Sequence, residues 1–279
     1  MADVEIKKSG MTGTIGEHIS AMAQAVLREE AVLGSVFRDI STFSVKGVDK
    51  ISFPAIGKFT VNNRAHGGST DRQAPAVTVE SLNLDQLAEI KYGIDGASAI
   101  QSTLNWKLEC AKIAAEDHVD FFESKLLAAL ETYGTAMTTV GLVFTPAIAV
   151  EMRKKYLDNK GKLKNAVWVI STECEADILA NPDVYKAESY GSSLIKDGMI
   201  EKLYGIPVIV RLGLSANQYY LAAKESVVYG FQMAPAYAEQ ADLNFGTQGV
   251  LCVMDQLFGV GASYLSGGFS RLIIKDNNS

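Results

Sequence analysis

The sequence predicts an α+β fold of two intertwined units, and three observations carry that expectation. From Ile100 the apolar residues Ile100, Leu104, Leu108, Ala111, Ala115, Val119, Phe122, Leu126 and Ala129 recur every three or four positions, the stripe of one long helix. Residues 145–182 read as helix, strand, helix. Beyond Gly198 the chain turns to β-branched and aromatic residues punctuated by glycine, which is strand and turn chemistry. A long-helix unit that includes the terminal strands therefore encloses an α/β unit in the middle.

Taken in order, residues 1–14 are polar and glycine-containing and read as extended chain. Between Ile15 and Phe37, Ile19, Ala23, Val26 and Leu27 fall at helical spacing among charges, which predicts an amphipathic arm. Residues 40–48 lead into a hairpin. Its sequence, ISFPAIGKFTVNNRAHGGSTDRQAPAVTVE from Ile51 to Glu80, offers the alternating pairs Phe59–Val61 and Val77–Val79 as strand partners. The middle, Asn62 to Gln73, is too polar to hold itself by packing, so the hairpin is expected to lack a local core. Residues 84–94 mix helix and strand signals, and Gly93 and Gly96 mark a boundary.

The long helix is expected over 97–132, about 50 Å at about 1.5 Å per residue, where globular helices usually run roughly 8 to 20 residues. Thr145 before Pro146 is a capped helix start, since proline at the first position gives up an N–H that has no helical partner there. That helix should end near Asp158 to Gly161. Ala166 to Ile170 reads as a buried strand, and Thr172 with Glu175 as a capping box opening a short helix that stops before Pro182. In GMIEKLYGIPVIVRL two short strands flank Gly205, and YYLAA, GTQGVLCVMDQLFGVGAS and RLIIK supply the remaining strands. Trp106 and Trp168 are expected to pack, one from a helix and one from a strand.

Composition bounds the function. The 279 residues are 48% hydrophobic, enough for a substantial core in one large domain or two smaller ones. Lys and Arg number 26 against 32 Asp and Glu, a net charge of −6, which leaves no electrostatic footprint for wrapping nucleic acid but is compatible with a face that lies beside it. Cys110, Cys174 and Cys252 stand far apart among apolar or helical residues, as reduced thiols do, which points to an intracellular folding compartment. The N-terminus has no signal-peptide core, and no stretch approaches the roughly 18 apolar residues of a membrane span, so a soluble chain without membrane contact is expected.

Motifs with catalytic precedent fail on their companions. His66-Gly67-Gly68 resembles an oxyanion loop, but there is no G-x-S-x-G nucleophile turn to accompany it. Gly259-Val260-Gly261 starts like a dinucleotide fingerprint, yet Tyr264 stands where the third glycine belongs, and the phosphate-loop motif is absent. Ser193 and Lys196 match S-x-x-K without the partner motifs and read as a surface turn. His18, His66 and His118 belong to three different elements. His118, flanked by Glu116, Asp117, Asp120 and Glu123, lacks the Glu-x-x-His spacing of bundle metal sites and reads as part of a solvated acidic face, the alternative being a face that meets a basic patch of a neighbour. No catalytic, cofactor-binding or metal-binding residue is assigned, and the chain is not expected to be an enzyme. Elements that cannot bury themselves imply partners.

The order of elements, with FTPAIAVEMRKKY (144–156), AVWVISTECEADILANPD (166–183) and KDGMIEKLYGIPVIV (196–210), resembles the major capsid proteins of tailed double-stranded DNA bacteriophages, the HK97-like fold. The resemblance covers nearly the whole chain. It implies an N-terminal arm (1–47), an extended E-loop (48–90), a P domain with its spine helix (91–144), an A domain (145–223) and return strands completing both domains (224–279). Arg64, His66, Asp71 and Arg72 would then lie at the E-loop tip over an adjacent subunit, and Gly205 and Pro207 would shape a structural turn. Lysine cross-linking between neighbours is disfavoured, because the tip has no lysine and only Lys58 lies on the hairpin arm. The implied function is a self-assembling structural protein of the virion. Pentamers and hexamers would form an icosahedral shell, assembled in the host cytoplasm with a separate scaffolding protein and a portal, around double-stranded DNA packaged without sequence specificity. Two alternatives are an encapsulin-like bacterial nanocompartment shell, favoured by a hydrophobic cargo-peptide groove beside the N-terminal helix, and an unrelated α+β enzyme.

Overall fold

The computed structural model describes residues 19–27, 31–56, 59–64, 66, 68, 72–74, 77–96, 105–137, 144–159, 161–180, 195–196, 199–200, 202–215, 218–242, 244, 249–262 and 273–275. Two sheets share one long helix, α3 (Trp106–Tyr133). The first has four strands in the order β1 (Arg38–Asp39), β12 (Val227–Ala241), β13 (Val250–Ala262) and β4 (Gln86–Ile94). Six strands make the second: β5 (Thr135–Ala136), β14 (Ile273–Lys275), β11 (Tyr219–Ala223), β6 (Ala166–Ser171), β10 (Ile206–Arg211) and β9 (Lys202–Leu203).

The stripe on α3 divides between the two sheets. Ala111, Ala114 and Ala115 pack on Ile94, Tyr237, Cys252 and Met254 of the four-stranded sheet. Val119, Phe122, Leu126 and Leu130 pack on Val167, Val169, Tyr220, Ala222 and Ile273 of the six-stranded sheet, with Tyr229 and Phe258 closing the seam. The predicted periodicity holds from Ala111 to Ala129, while Leu108 is exposed and residues 97–104 lie outside the described residues. Trp106, expected to pack, is exposed in the first turn of α3.

Strand alternation explains the all-apolar β6. Val167 and Val169 face α3, whereas Ala166, Trp168 and Ile170 face α4 (Pro146–Asp158) and α5 (Thr172–Ala180) on the other side. Trp168 is fully buried, and its indole N–H donates to the Leu203 carbonyl at 3.3 Å. Thr145 caps α4 as expected, its Oγ1 accepting from the Ile148 N–H. The cap of α5 is Ser171, whose Oγ accepts from the Cys174 N–H at 3.2 Å; the Thr172–Glu175 box was displaced by one residue because serine ends the strand and opens the helix.

Several expectations need correction. Within residues 84–94, Gln86–Ile94 form β4, paired along its length with β13, and the partner strand settles what the local pattern left open. β12, fifteen residues long, lies outside the strand segments expected from the sequence; Pro235 interrupts it, and the register shifts between Phe231 and Ala236 absorb the proline in a bulge. Where it is described, the N-terminal segment is the amphipathic helix that its spacing predicts. Helix α1 (residues 19–27) buries Ile19, Ala23 and Leu27 against α3 and the four-stranded sheet, and α2 (Val32–Val36) follows it. Ser193 lies outside the described residues, and Ile195 and Lys196 form β7, paired with β8 (Met199–Ile200), rather than a turn.

Candidate assembly surfaces

The hairpin is a sheet of its own, in which β2 (Lys50–Ile56) pairs antiparallel with β3 (Val77–Asn83) from Lys50↔Asn83 to Ile56↔Val77. Phe59 and Val61 therefore do not pair with Val77 and Val79 as the alternation suggested; Val79 lies opposite Pro54. The base does have a core, since Ile51, Phe53, Leu82 and Leu84 are buried with Ile40 and Val228. The lead-in loop is tied down by Gln232, whose Nε2 donates to the carbonyls of Val45 and Val48 at 2.8 and 2.9 Å.

Away from the base the burial stops. Phe59, Val61, Val77 and Val79 are exposed, Val61 at 95% and Val79 at 72%, which leaves a row of apolar side chains facing solvent. The arm holds its shape there by polar contacts. The Thr60 N–H donates to Gln73 Oε1 at 2.8 Å and Gln73 Nε2 donates back to the Thr60 carbonyl, so a side chain imitates a strand partner. Arg64, His66 and Arg72 are exposed; Asp71 lies outside the described residues.

The structural turn is resolved in detail. Leu203 pairs with Ile206 and Lys202 with Pro207, leaving a two-residue loop, Tyr204–Gly205, in which both residues have positive φ, 51° and 81°. That is the turn geometry whose twist matches a tight hairpin, and glycine adopts it without strain. Gly205 was legible in the sequence, whereas the strained Tyr204 was not.

Charge ties α3 to the six-stranded sheet. Glu123, on α3, is 1% exposed and pairs with Arg211 at the end of β10, while its Oε1 accepts from the Leu33 N–H at 3.0 Å. Arg211 also reaches the exposed Asp120 at 3.4 Å. Farther along α3, Glu131 pairs with Lys275 and accepts from the Tyr220 hydroxyl at 2.8 Å. His118 is buried, and its Nε2–H donates to the Met254 carbonyl at 3.1 Å. The expected solvated acidic face is thus only half solvated: Asp117 and Asp120 face water, but His118 and Glu123 belong to the interior. Helical periodicity places them there, since His118 shares the inward side with Ala111, Ala115 and Phe122.

Titratable groups inside the protein are arranged for stability. Burial pushes the Cys252 thiol up, and it sits 3.1 Å from the Tyr237 hydroxyl, which donates to Glu239; Lys107 pairs with the same carboxylate at 3.1 Å. A thiol shifted in that direction stays protonated near neutral pH, the opposite of an activated nucleophile. Among the described residues no three His, Cys, Asp or Glu side chains converge as a metal-binding group, and all three cysteines are free, Cys110 only partly buried. Among the same residues no helix is long and apolar enough to cross a membrane.

No family model matches the chain, and no curated protein matches it by sequence. Solved structures do match it in fold. One from Mycobacterium phage Che8 superposes with a TM-score of 0.64 at 17% identity, over 88% of this chain and 90% of that one. The capsid structure of the cyanophage P-SCSP1u gives 0.62 at 12% identity, over 88% and 87%. A virus-like particle from Pyrococcus furiosus gives 0.61 at 13% identity, over 94% and 99%. Nearly end-to-end superposition at such low identity establishes an α+β fold shared with capsid and virus-like-particle subunits, consistent with the HK97-like order of elements.

Proposed function

We propose that this chain is a major capsid protein whose copies close into pentamers and hexamers of an icosahedral shell around double-stranded DNA. The observation that carries the reading is the hairpin: an arm with a buried base and an exposed apolar shaft, projecting from a fold shared with capsid subunits. Residues 48–90 act as the E-loop, α3 as the spine of a P domain (91–144), 145–223 as the A domain, and 224–279 as the strands completing both. Residues 1–47 form the N-terminal arm. Arg64, His66, Asp71 and Arg72 contact the adjacent subunit, and Phe59, Val61, Val77 and Val79 supply the apolar area, so that many weak contacts sum to a stable shell. A separate scaffolding protein and a portal complete assembly in the host cytoplasm, and the product is the virion.

Negative-stain microscopy of the expressed protein tests this directly. Closed shells or capsomers are expected, and a monodisperse monomer at high concentration would sink the reading. Deleting residues 63–72 should leave a folded, soluble subunit that does not close shells.

A second reading, an encapsulin-like compartment, is favoured by one feature. A cavity of about 360 Å³ opens beside α1, lined by Gln24, Leu27, Gly34, Phe122, Tyr229 and Phe231. Nuclease-protected DNA in particles from infected or lysogenic cells supports the capsid; particles containing a protein cargo and no DNA support the compartment.

A further inference from the structure

Three glycines of the four-stranded sheet lie where the hairpin base crosses it. Gly230 on β12 and Gly259 on β13 are directly paired, and Gly261 stands opposite Val228. A Cβ on Gly259 would lie 2.0 Å from the Asn83 carbonyl oxygen, one on Gly261 2.7 Å from Leu82 Cδ1, and one on Gly230 2.5 Å from Ile51 Cδ1. All three distances fall below any real van der Waals contact. None of the three glycines has positive φ, so the requirement is for space and not for backbone freedom. The contacts come from both hairpin strands, Ile51 on β2 and Leu82 and Asn83 on β3. The spacing Gly259-Val260-Gly261 follows from the strand period: both glycines face the hairpin while Val260 packs on the opposite face against the α3 core.

We propose that Gly230, Gly259 and Gly261 form a seat that sets the angle at which the hairpin leaves the body, and so aims its exposed shaft at the neighbouring subunit. This rests on reading the hairpin as an intersubunit element. Seven paired residues at about 3.3 Å each span about 23 Å, so a shift of about 1 Å forced at the base grows to several Å at the tip. A side chain on the seat need not unfold the protein to misdirect assembly.

The test uses the full chain, with hydrogen exchange read by mass spectrometry and shell shape read by negative stain. Gly230→Ala should speed exchange at least tenfold in residues 50–56 and 77–84, leave α3 protected, and give open or irregular assemblies. Ile51→Val removes the clashing Cδ1, leaving Ile40 Cγ1 at 3.3 Å as the nearest atom. The Gly230→Ala/Ile51→Val double variant should therefore recover both readouts, although each change alone is a defect. Gly259→Ala, which meets backbone, has no such rescue. Gly213→Ala, whose nearest neighbour is at 3.6 Å, is the control. Unchanged exchange with wild-type shells in Gly230→Ala overturns the seat, as does a double variant worse than either single. Should Gly230→Ala fail to fold, recovery of folding in the double supports the seat and continued failure overturns it. Normal shells from the chain lacking residues 63–72 would instead defeat the assembly role of the hairpin, and the exchange data would still decide the seat.

Discussion

Single residues on α3 tie the helix to the elements packed around it. Glu123 is buried, charged and bound at once by Arg211 and the Leu33 N–H, so Glu123→Ala leaves the partly buried Arg211 guanidinium with only the exposed Asp120 and should lose about 3 kcal/mol in urea denaturation. Glu123→Leu with Arg211→Met removes both charges and should lose much less, because only the Leu33 N–H, worth about 1 kcal/mol, is left unpaired. His118 gives a pH dependence of predictable sign. Burial depresses its pKa below 6.5, outweighing the Met254 carbonyl and the nearby Asp255 and Asp117, so the folded state holds the neutral ring. The unfolded chain then binds the extra proton, and stability that is complete above pH 6.5 falls as pH drops, by at most about 1.4 kcal/mol per pH unit. Urea midpoints at pH 7.5 and 5.5 should differ in the wild type and converge in His118→Gln. Glu131 acts in a separate window: burial raises its pKa, but hydrogen bonds from Lys275 and Tyr220 outweigh burial and leave it below 4.5, so its contribution is lost only in stronger acid.

At the scale of elements, the hairpin separates stability from assembly. Phe53, at its buried base, should lose about 3–5 kcal/mol on change to alanine, whereas Val61→Asp, on the exposed shaft, should stay within about 0.5 kcal/mol of wild type. If the shaft is a contact surface, Val61→Asp nevertheless raises the concentration at which shells close; denaturation and microscopy of the same two variants separate the effects. The sequence disclosed α3, α4, β6 and the Tyr204–Gly205 hairpin because each is set by local period, cap or turn chemistry. β4 and β12 were obscured because their state is decided by pairing with β13, and in β12 a bulge hides the cost of Pro235. The hairpin base was misjudged for the same reason: Ile51 and Leu82 find their core on Ile40 and Val228, some ten to more than a hundred residues away. His118 and Glu123 read as surface because charge was weighed ahead of helical phase, and the partners that neutralise Glu123, Arg211 and the Leu33 N–H, come from distant segments.

For the whole molecule the decisive quantity is the balance between apolar contact and like charge. Each copy carries −6, so in the proposed shell every added neighbour adds repulsion that is long-ranged at low salt, with a screening length of about 30 Å at 0.01 M and about 8 Å at 0.15 M. Attraction between exposed tip charges such as Arg64 or Arg72 and a neighbour's carboxylates works the other way, but exposed pairs contribute only about 0–1 kcal/mol each and are screened as well. Apolar contact by Phe59, Val61, Val77 and Val79 is not weakened by moderate salt, and every 1.4 kcal/mol or so gained per subunit lowers the threshold concentration about tenfold. Repulsion is therefore the term that salt removes. The assembly threshold, followed by light scattering, should fall as ionic strength rises from 0.01 to 0.15 M. Val61→Asp adds a charge where an apolar contact is lost, so its threshold should be higher at every salt and should fall more steeply. A threshold that rises with salt would mean that complementary ion pairs hold the copies together, and the hairpin shaft would not be the surface that drives closure.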